Sequence, residues 1–311
     1  MKQVLYSNYG DSSVLKVDEV DKPRIGKKNS LLVKIYYSSL NAIDWKNRKG
    51  DFRLVSGLIK PRTKQGFDVV GEVIEKSYDL QEFDLGDKIA GLLGNFEGGS
   101  FSEYIVVKAD SVVKIPDNIP INQVAGIPMA GTTAWLALLK LGGLKKGDKV
   151  LINGGSSGVG HLAIQIAKAY GAEVTSISST KNLDFCKQLG ADVTISYQDE
   201  DFLESTSTFD IIFDVVFNAS YKKTKHLLKA KGVYIGTTPT GTMIKEMLRY
   251  KQAKFVSVHP NQVALKDLLK LMKEDKLQVK IDKEFLLNDI IKAHDYIEKS
   301  RTVGKLIIKI G

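Results

Sequence analysis

Cysteine is almost absent from this chain, histidine is rare, and no long apolar run interrupts it. The lone thiol, Cys186, excludes an intramolecular disulfide and any multi-cysteine zinc site. It falls in the periodic run 182–189 and reads as a small helix residue rather than a redox group. The four histidines, His161, His226, His259 and His294, are scattered and suggest no tetrahedral ligand set. Each reads as a surface or capping residue, and His161 is also placed to reach a phosphate. No apolar stretch approaches the roughly 20 residues that span a bilayer, and no signal-peptide apolar region opens the chain. A cytoplasmic protein without a membrane span is therefore expected. Low-complexity tracts and internal repeats are missing too.

What is present is ordinary globular material: 43% apolar, 26% charged, 311 residues, enough for two domains with a substantial core. The net charge of +9 comes from lysines spread along the chain, which describes a solvated surface and also suits a polyanionic cofactor. No aromatic-plus-basic platform for single strands accompanies it, so no specific nucleic-acid partner is expected.

Residues 1–115 read as short strands separated by Gly, Pro, Asp and Ser, an all-β barrel or sandwich. Residues 121–141 form an alanine-rich apolar segment of one or two helices. From 149 to 240 strands and helices alternate, which predicts a doubly wound parallel sheet with 211–217 as a central strand. The tail predicts helices near 262–273 and 287–299 and a closing strand at 305–310. That strand needs a sheet, and the N-terminal one is the available partner.

The middle region is organised around Val150-Leu-Ile-Asn-Gly-Gly-Ser-Ser-Gly-Val-Gly-His-Leu-Ala163. A short apolar run breaks into four glycines and is followed by a long helical period, so it reads as strand, tight turn, helix. Gly158-x-Gly160-x-x-Ala163 fits the dinucleotide fingerprint, and Gly155-x-Ser157-x-x-Gly160 fits it nearly as well. Small residues there permit the turn and let backbone approach a pyrophosphate. The helix N-terminus then offers free N–H groups to it, which nominates Gly155, Ser157, Gly158, Val159 and Gly160.

Several further stretches stand in register along the chain: Ser39-Leu-Asn-Ala-Ile-Asp-Trp45, Gly66-Phe-Asp-Val-Val-Gly71, Leu85-Gly-Asp-Lys88, Gly99-Ser-Phe-Ser-Glu-Tyr104, Ala130-Gly-Thr-Thr-Ala-Trp135, Ser179-Thr-Lys-Asn182, Phe213-Asp-Val-Val-Phe217 and Gly304-Lys-Leu-Ile-Ile308. With the glycine loop, these resemble the zinc-independent quinone oxidoreductase and enone reductase branch of the medium-chain dehydrogenase/reductase superfamily. The resemblance implies an α/β protein with a GroES-like β-barrel catalytic domain (1–120 and 257–311) and a Rossmann doubly wound parallel-sheet nucleotide domain (121–256). It also implies an enzyme, a homodimer, and an active site in the cleft between the domains. Zinc-dependent relatives carry a cysteine at Asn41, a histidine at Phe67 and a cysteine near Met129, so the resemblance here implies no metal.

The cofactor is read from the second nucleotide strand. An NAD-binding protein has an acid about 20 residues beyond the glycines. Ile177-Ser-Ser-Thr-Lys181 has none; Ser178, Ser179 and Lys181 suit a 2′-phosphate, so NADPH is expected. The resemblance adds Asn41 and Thr133 near the nicotinamide, Tyr197 near the adenosine, Phe217, Gly236 and Thr237 beyond strand ends, and Lys305 as a phosphate contact. Asn41, Asp44 and Thr133 are the catalytic candidates, Asp44 reading more readily as a structural hydrogen-bonder. No tyrosine follows Asp44, so no side chain stands out as proton donor and solvent is available for that task. Hydride transfer to a quinone or an α,β-unsaturated carbonyl compound suits a metal-free site, because charge moves to an oxygen that donors can hold. The alternative is a non-catalytic NADPH-binding member, crystallin-like or RNA-binding.

Overall fold

The computed structural model describes residues 1–26, 28–94 and 97–311. It divides into two units: Met1–Thr132 with His259–Lys273 and Val279–Gly311, and Thr133–Val258 with Glu274–Gln278.

In the first unit, β1 (Lys2–Leu5) and β2 (Lys16–Glu19) form an antiparallel ribbon. The long strand β3 (Ser30–Leu40) is the spine of a separate sheet. It is buried over most of its length because it is paired on both sides. Its partners in chain order are β4 (Asp68–Lys76), β5 (Lys88–Leu92), β6 (Tyr104–Lys108) and β7 (Val112–Lys114). β4 runs antiparallel along one side of β3, β5 pairs β4, and β7 pairs β5. The other side of β3 is shared. β6 covers Ser30–Lys34, which leaves Tyr37–Leu40 open for another strand.

The second unit holds a six-stranded parallel sheet. Its strands are β8 (Lys149–Asn153), β9 (Glu173–Ser178), β10 (Val193–Ser196), β11 (Phe209–Asp214), β12 (Leu228–Gly236) and β13 (Ala253–Phe255), in the order β10-β9-β8-β11-β12-β13. The order reverses beside β8, where α/β sheets place their ligands. Leu151, Ile177, Ile212 and Tyr234 pack in its core, as strands covered on both faces require.

The chain then returns to the first unit. β14 (Ile281–Leu286) lies parallel to β15 (Lys305–Lys309), and β15 fills the open half of β3, antiparallel, with Leu306 opposite Leu40. The closing strand thus joins the sheet the sequence pointed to. β14 was not read from sequence, because Asp282, Lys283 and Glu284 remove the apolar alternation that marks a strand on a core face.

Other boundaries shift for local reasons. The central strand stops at Asp214 rather than 217, since Phe217 turns left-handed (φ 57°) in the loop beyond. The alanine-rich segment splits into Ile121–Val124, Pro128–Trp135 and a wider-wound π turn, Leu136–Leu141. The reading of every histidine as a surface or capping residue fails for two of them: His161 and His294 are fully buried.

Candidate active site

The glycine loop joins β8 to the helix α1 (Gly160–Ala169). Gly154 and Gly155 both donate to the Ile177 carbonyl, at 3.0 and 2.9 Å, which turns the chain sharply off the sheet. Gly154 has φ 93°, a conformation that side chains resist. A Cβ at Gly160 would run into the Gly154 carbonyl oxygen, and one at Gly155 into Ser176 Oγ. Gly154, Gly155 and Gly160 are therefore demanded by backbone conformation and by close packing in and around the loop. Ser157 closes it: its Oγ donates to Gly154 O (2.6 Å) and accepts from Gly160 N (3.1 Å). Among the described residues the N–H groups of Gly158 and Val159 have no partner. Together with the α1 N-terminus they form a cradle of donors suited to a pyrophosphate. The His161 ring instead lies buried, with Nδ1 3.0 Å from Ser157 O.

At the end of β9 the chain brings together side chains that sequence spacing did not connect. Ser178 Oγ donates to Ser156 Oγ (2.7 Å), and Asn182 Nδ2 donates to the same oxygen (3.1 Å). Ser156 and Asn182 thus tie the glycine loop to the turn carrying Ser179 and Lys181. Lys181 is exposed beside them, and so is Tyr197. One acid also reaches this turn from beyond β10: Asp199 accepts from Thr180 Oγ1 at 3.0 Å. Hydrogen bonds from Ser196 and Thr180 hold its carboxyl below the usual range.

The loops after β11 and β12 are held by a buried carboxylate. Asp214 accepts from Asn153 Nδ2, Phe217 N, Ala219 N and Tyr234 Oη, all at 2.9–3.0 Å. Burial, then the Asp214 charge, raises the Tyr234 phenol well above its ordinary value. The same carboxylate fixes Phe217 in its left-handed turn. Gly236 has no room for a side chain beside the Phe217 ring, and Thr237 Oγ1 donates to Val215 O (2.9 Å). Thr133, in the helix Pro128–Trp135, is buried.

The first unit holds a second cluster, built on β3, β4, β15 and the helix Ala42–Lys49. Asp44 Oδ2 accepts from Asn41 N (2.8 Å) and Oδ1 from Gly66 N (2.9 Å), so the carboxylate caps its own helix and ties it to the loop before β4. Burial outweighs these bonds and pushes Asp44 up to about 7. Asp68 accepts from Met129 N (2.7 Å), Asn41 Nδ2 (2.9 Å) and the Ser39 hydroxyl. Burial raises its pKa as well, opposed first by the Lys305 charge. Lys305 Nζ donates to Asn41 Oδ1 at 2.5 Å, and burial pulls the ammonium below its ordinary value.

Zinc does not fit here. An Asn amide already engaged at both ends, a phenyl ring and a thioether stand at Asn41, Phe67 and Met129, and none of these is a usual zinc ligand. Among the described residues no group of three or more His, Cys, Asp or Glu side chains is arranged to hold a metal ion. No described helix is long and apolar enough to cross a membrane.

Comparison with known proteins agrees with this geometry. Residues 27–117 match the family described as alcohol dehydrogenase GroES-like domain, and residues 189–308 the family described as zinc-binding dehydrogenase. A chloroplastic quinone-oxidoreductase homolog of Spinacia oleracea is 34% identical, with 99% of this chain and 98% of that protein covered. The 2-methylene-furan-3-one reductase of Solanum lycopersicum is 32% identical over 99% of this chain and 79% of its own length. The solved quinone oxidoreductase from Coxiella burnetii superposes with a TM-score of 0.91 at 34% identity, covering 100% of this chain and 99% of that one. With a GroES-like unit, a parallel nucleotide sheet and full-length relatives of this kind, the chain belongs to the zinc-independent quinone oxidoreductase and enone reductase branch of the medium-chain dehydrogenase/reductase superfamily, a superfamily of nicotinamide-dependent oxidoreductases.

Proposed function

We propose that this chain is an NADPH-dependent oxidoreductase that delivers hydride to a quinone or an α,β-unsaturated carbonyl compound. The observation that carries the cofactor choice is the end of β9, where Ser178, Ser156 and Asn182 are linked beside an exposed Lys181. Hydroxyl, amide and ammonium donors favour a phosphate on the ribose, which a carboxylate in their place would repel. Asp199, which reaches this turn from beyond β10, is engaged with Thr180. A relative from Arabidopsis thaliana, 30% identical, carries the name NADPH-dependent alkenal/one oxidoreductase, which supports both halves of the reading.

In this reading Gly155, Ser157, Gly158, Val159 and Gly160 hold the pyrophosphate, and Ser178, Ser179 and Lys181 the 2′-phosphate. Tyr197 packs near the adenosine, and Asn41 and Thr133 near the nicotinamide. Phe217, Gly236 and Thr237 shape the edge beyond the strand ends. The bound nicotinamide supplies hydride. The protein's own part is to orient the acceptor, exclude water and hold the charge that hydride addition leaves on oxygen. Asp44, with both oxygens taken by backbone N–H groups, holds the loop before β4, and solvent returns the proton. The reading also carries a cytoplasmic homodimer, so light scattering is expected to give twice the chain mass of 34.3 kDa.

Stopped-flow loss of NADPH absorbance with 1,4-benzoquinone, phenanthrenequinone and short enones tests the activity, and no acceptor above background would sink it. Lys181→Glu with Ser179→Ala tests the cofactor: the KM for NADPH should rise at least about tenfold more than that for NADH, roughly the worth of one charge-assisted contact. An equal effect on both would reject the 2′-phosphate assignment.

A further inference from the structure

The first-unit cluster contains one group whose hydrogen-bonding capacity is not used up. Lys305 opens β15 and is only 3% exposed. An ammonium has three donors. Among the described residues its Nζ makes one hydrogen bond, to Asn41 Oδ1. The neighbouring donors are committed. Asn41 Nδ2 gives to Asp68 and to Ser39 O (3.2 Å), Asn41 N gives to Asp44, the Ser39 hydroxyl gives to Asp68, and Met129 N gives to Asp68. Asn41 therefore has no hydrogen left to offer a ligand, although it is one of the catalytic candidates named from the sequence. The Lys305 stem is held as well: a Cβ at Gly126 would press on Lys305 Cγ and on Val279, so only glycine leaves the stem its place.

A buried cation with unfilled donors is an incomplete arrangement, because each unpaired N–H away from water costs free energy. An oxygen acceptor on a ligand can complete such a group. We propose that Lys305 is the electrophile of the reaction, donating a hydrogen bond to the acceptor's carbonyl oxygen as that oxygen becomes an oxyanion. The assignment rests on the hydride-transfer reading above. In the step, hydride forms a new C–H bond at the β-carbon of the enone. The C=C pair shifts toward the carbonyl carbon, and the C=O π pair moves onto oxygen, where Lys305 holds it. A solvent proton then adds at the α-carbon. The acceptor gains two electrons and the nicotinamide loses two. With a quinone the hydride takes the equivalent path, and the proton ends on oxygen. Asn41 and Asp68 act through Lys305 as positioning residues: the amide fixes where Nζ lies, and the carboxylate keeps a counter-charge one amide away.

The test pairs Lys305→Met with the double variant Lys305→Met/Asp68→Asn, which removes the stranded carboxylate if the single variant fails to fold. Two measurements are made on the full chain. With an acceptor that the wild type reduces, kcat should fall about 100-fold in the folded variant, the usual loss of one oxyanion donor. The Kd for NADPH, read by quenching of protein fluorescence, should stay the same. A raised Kd with unchanged kcat would overturn the assignment and make Lys305 the phosphate contact that sequence reading suggested. The second measurement needs no turnover. p-Nitrophenol, a stable stand-in for the oxyanion, should bind wild type as the yellow phenolate at a pH where it is neutral in solution, and the variant should lose that absorbance. Binding as the neutral phenol, or no binding, also overturns the assignment. The acceptor panel with wild type stands apart, so failure of the enzyme reading and failure of the Lys305 assignment are distinguishable.

Discussion

Two fully buried carboxylates, one in each unit, are handled in opposite ways. Asp214 sits among four neutral donors, and each has a distinct job in fixing the β11 and β12 loops. Its charge is met by dipoles alone, and none of those four hydrogen bonds is left unmade. Asp68 has three neutral donors and stands one amide away from a cation that is itself incompletely bonded. The first arrangement is closed, and its product is a rigid loop. The second stays open at Lys305, and its product is a group able to act on something else. Unfilled capacity, rather than burial or charge, separates the working cluster from the structural one.

The largest effect should come from breaking the closed arrangement. Asp214→Ala leaves four donors without an acceptor and releases Phe217 from its strained turn; a loss on the order of 4–5 kcal/mol is expected in urea unfolding. A loss below about 1 kcal/mol would mean that water replaces the carboxylate freely.

Asp68→Asn should cost less, about 2–3 kcal/mol, the range for hydrogen bonds to a charged group. It should also couple to Lys305. A double-mutant cycle with Lys305→Met is expected to show an interaction of about 1–3 kcal/mol, whereas Asp214→Ala and Lys305→Met should be additive within about 0.5 kcal/mol.

Smaller effects concern pH. Asp44 titrates near 7 when folded and near 3.8 when unfolded. Between these values the folded state holds more protons, so this group lowers stability as pH rises from about 4 to 7. His294, held down to about 3 by burial and then by the Arg48 charge, has the opposite sign: it raises stability as pH climbs from about 3 to 6.5. Relative to wild type, the urea midpoint of Asp44→Asn should therefore climb with pH over 4–7. That of His294→Phe should decline with pH over 3–6.5. Parallel curves would show that neither buried group titrates as assigned. The smallest effect belongs to an exposed carboxylate: Asp199→Asn should lower the KM for NADPH only two- to threefold, because solvent screens the charge.

Much of this was legible in the sequence. The four glycines, the apolar runs before and after them and the Ser-Ser-Thr-Lys stretch are local, and local packing decides what they become. The chemistry at Asn41, Phe67 and Met129 was legible too, because an amide, a phenyl ring and a thioether exclude usual zinc ligation whatever surrounds them. Contacts between distant stretches were not. The resemblance offers Lys305 as a phosphate contact, but that it is buried beside Asn41 is not legible until β15 enters the sheet beside β3. Ser156 and Asn182 look like turn residues until β8 and β9 align and bring them together. His294 sits in an amphipathic period that says which face it is on but not that Phe101 will meet its ring edge-on at 6.5 Å.

The place of β15 also sets an order of assembly. Residues of β3 are made early, but half of one side waits for a strand whose first residue lies 264 positions beyond Asn41. The parallel sheet between them is complete in its own strands from β8 to β13, all of which leave the ribosome sooner. The second unit can therefore form while the sheet of the first is still unfinished, and the open edge at Tyr37–Leu40 is exposed to other strands in that interval. Lys305 arrives with the strand that closes this edge, so the cation enters the cluster only when the sheet around it is finished.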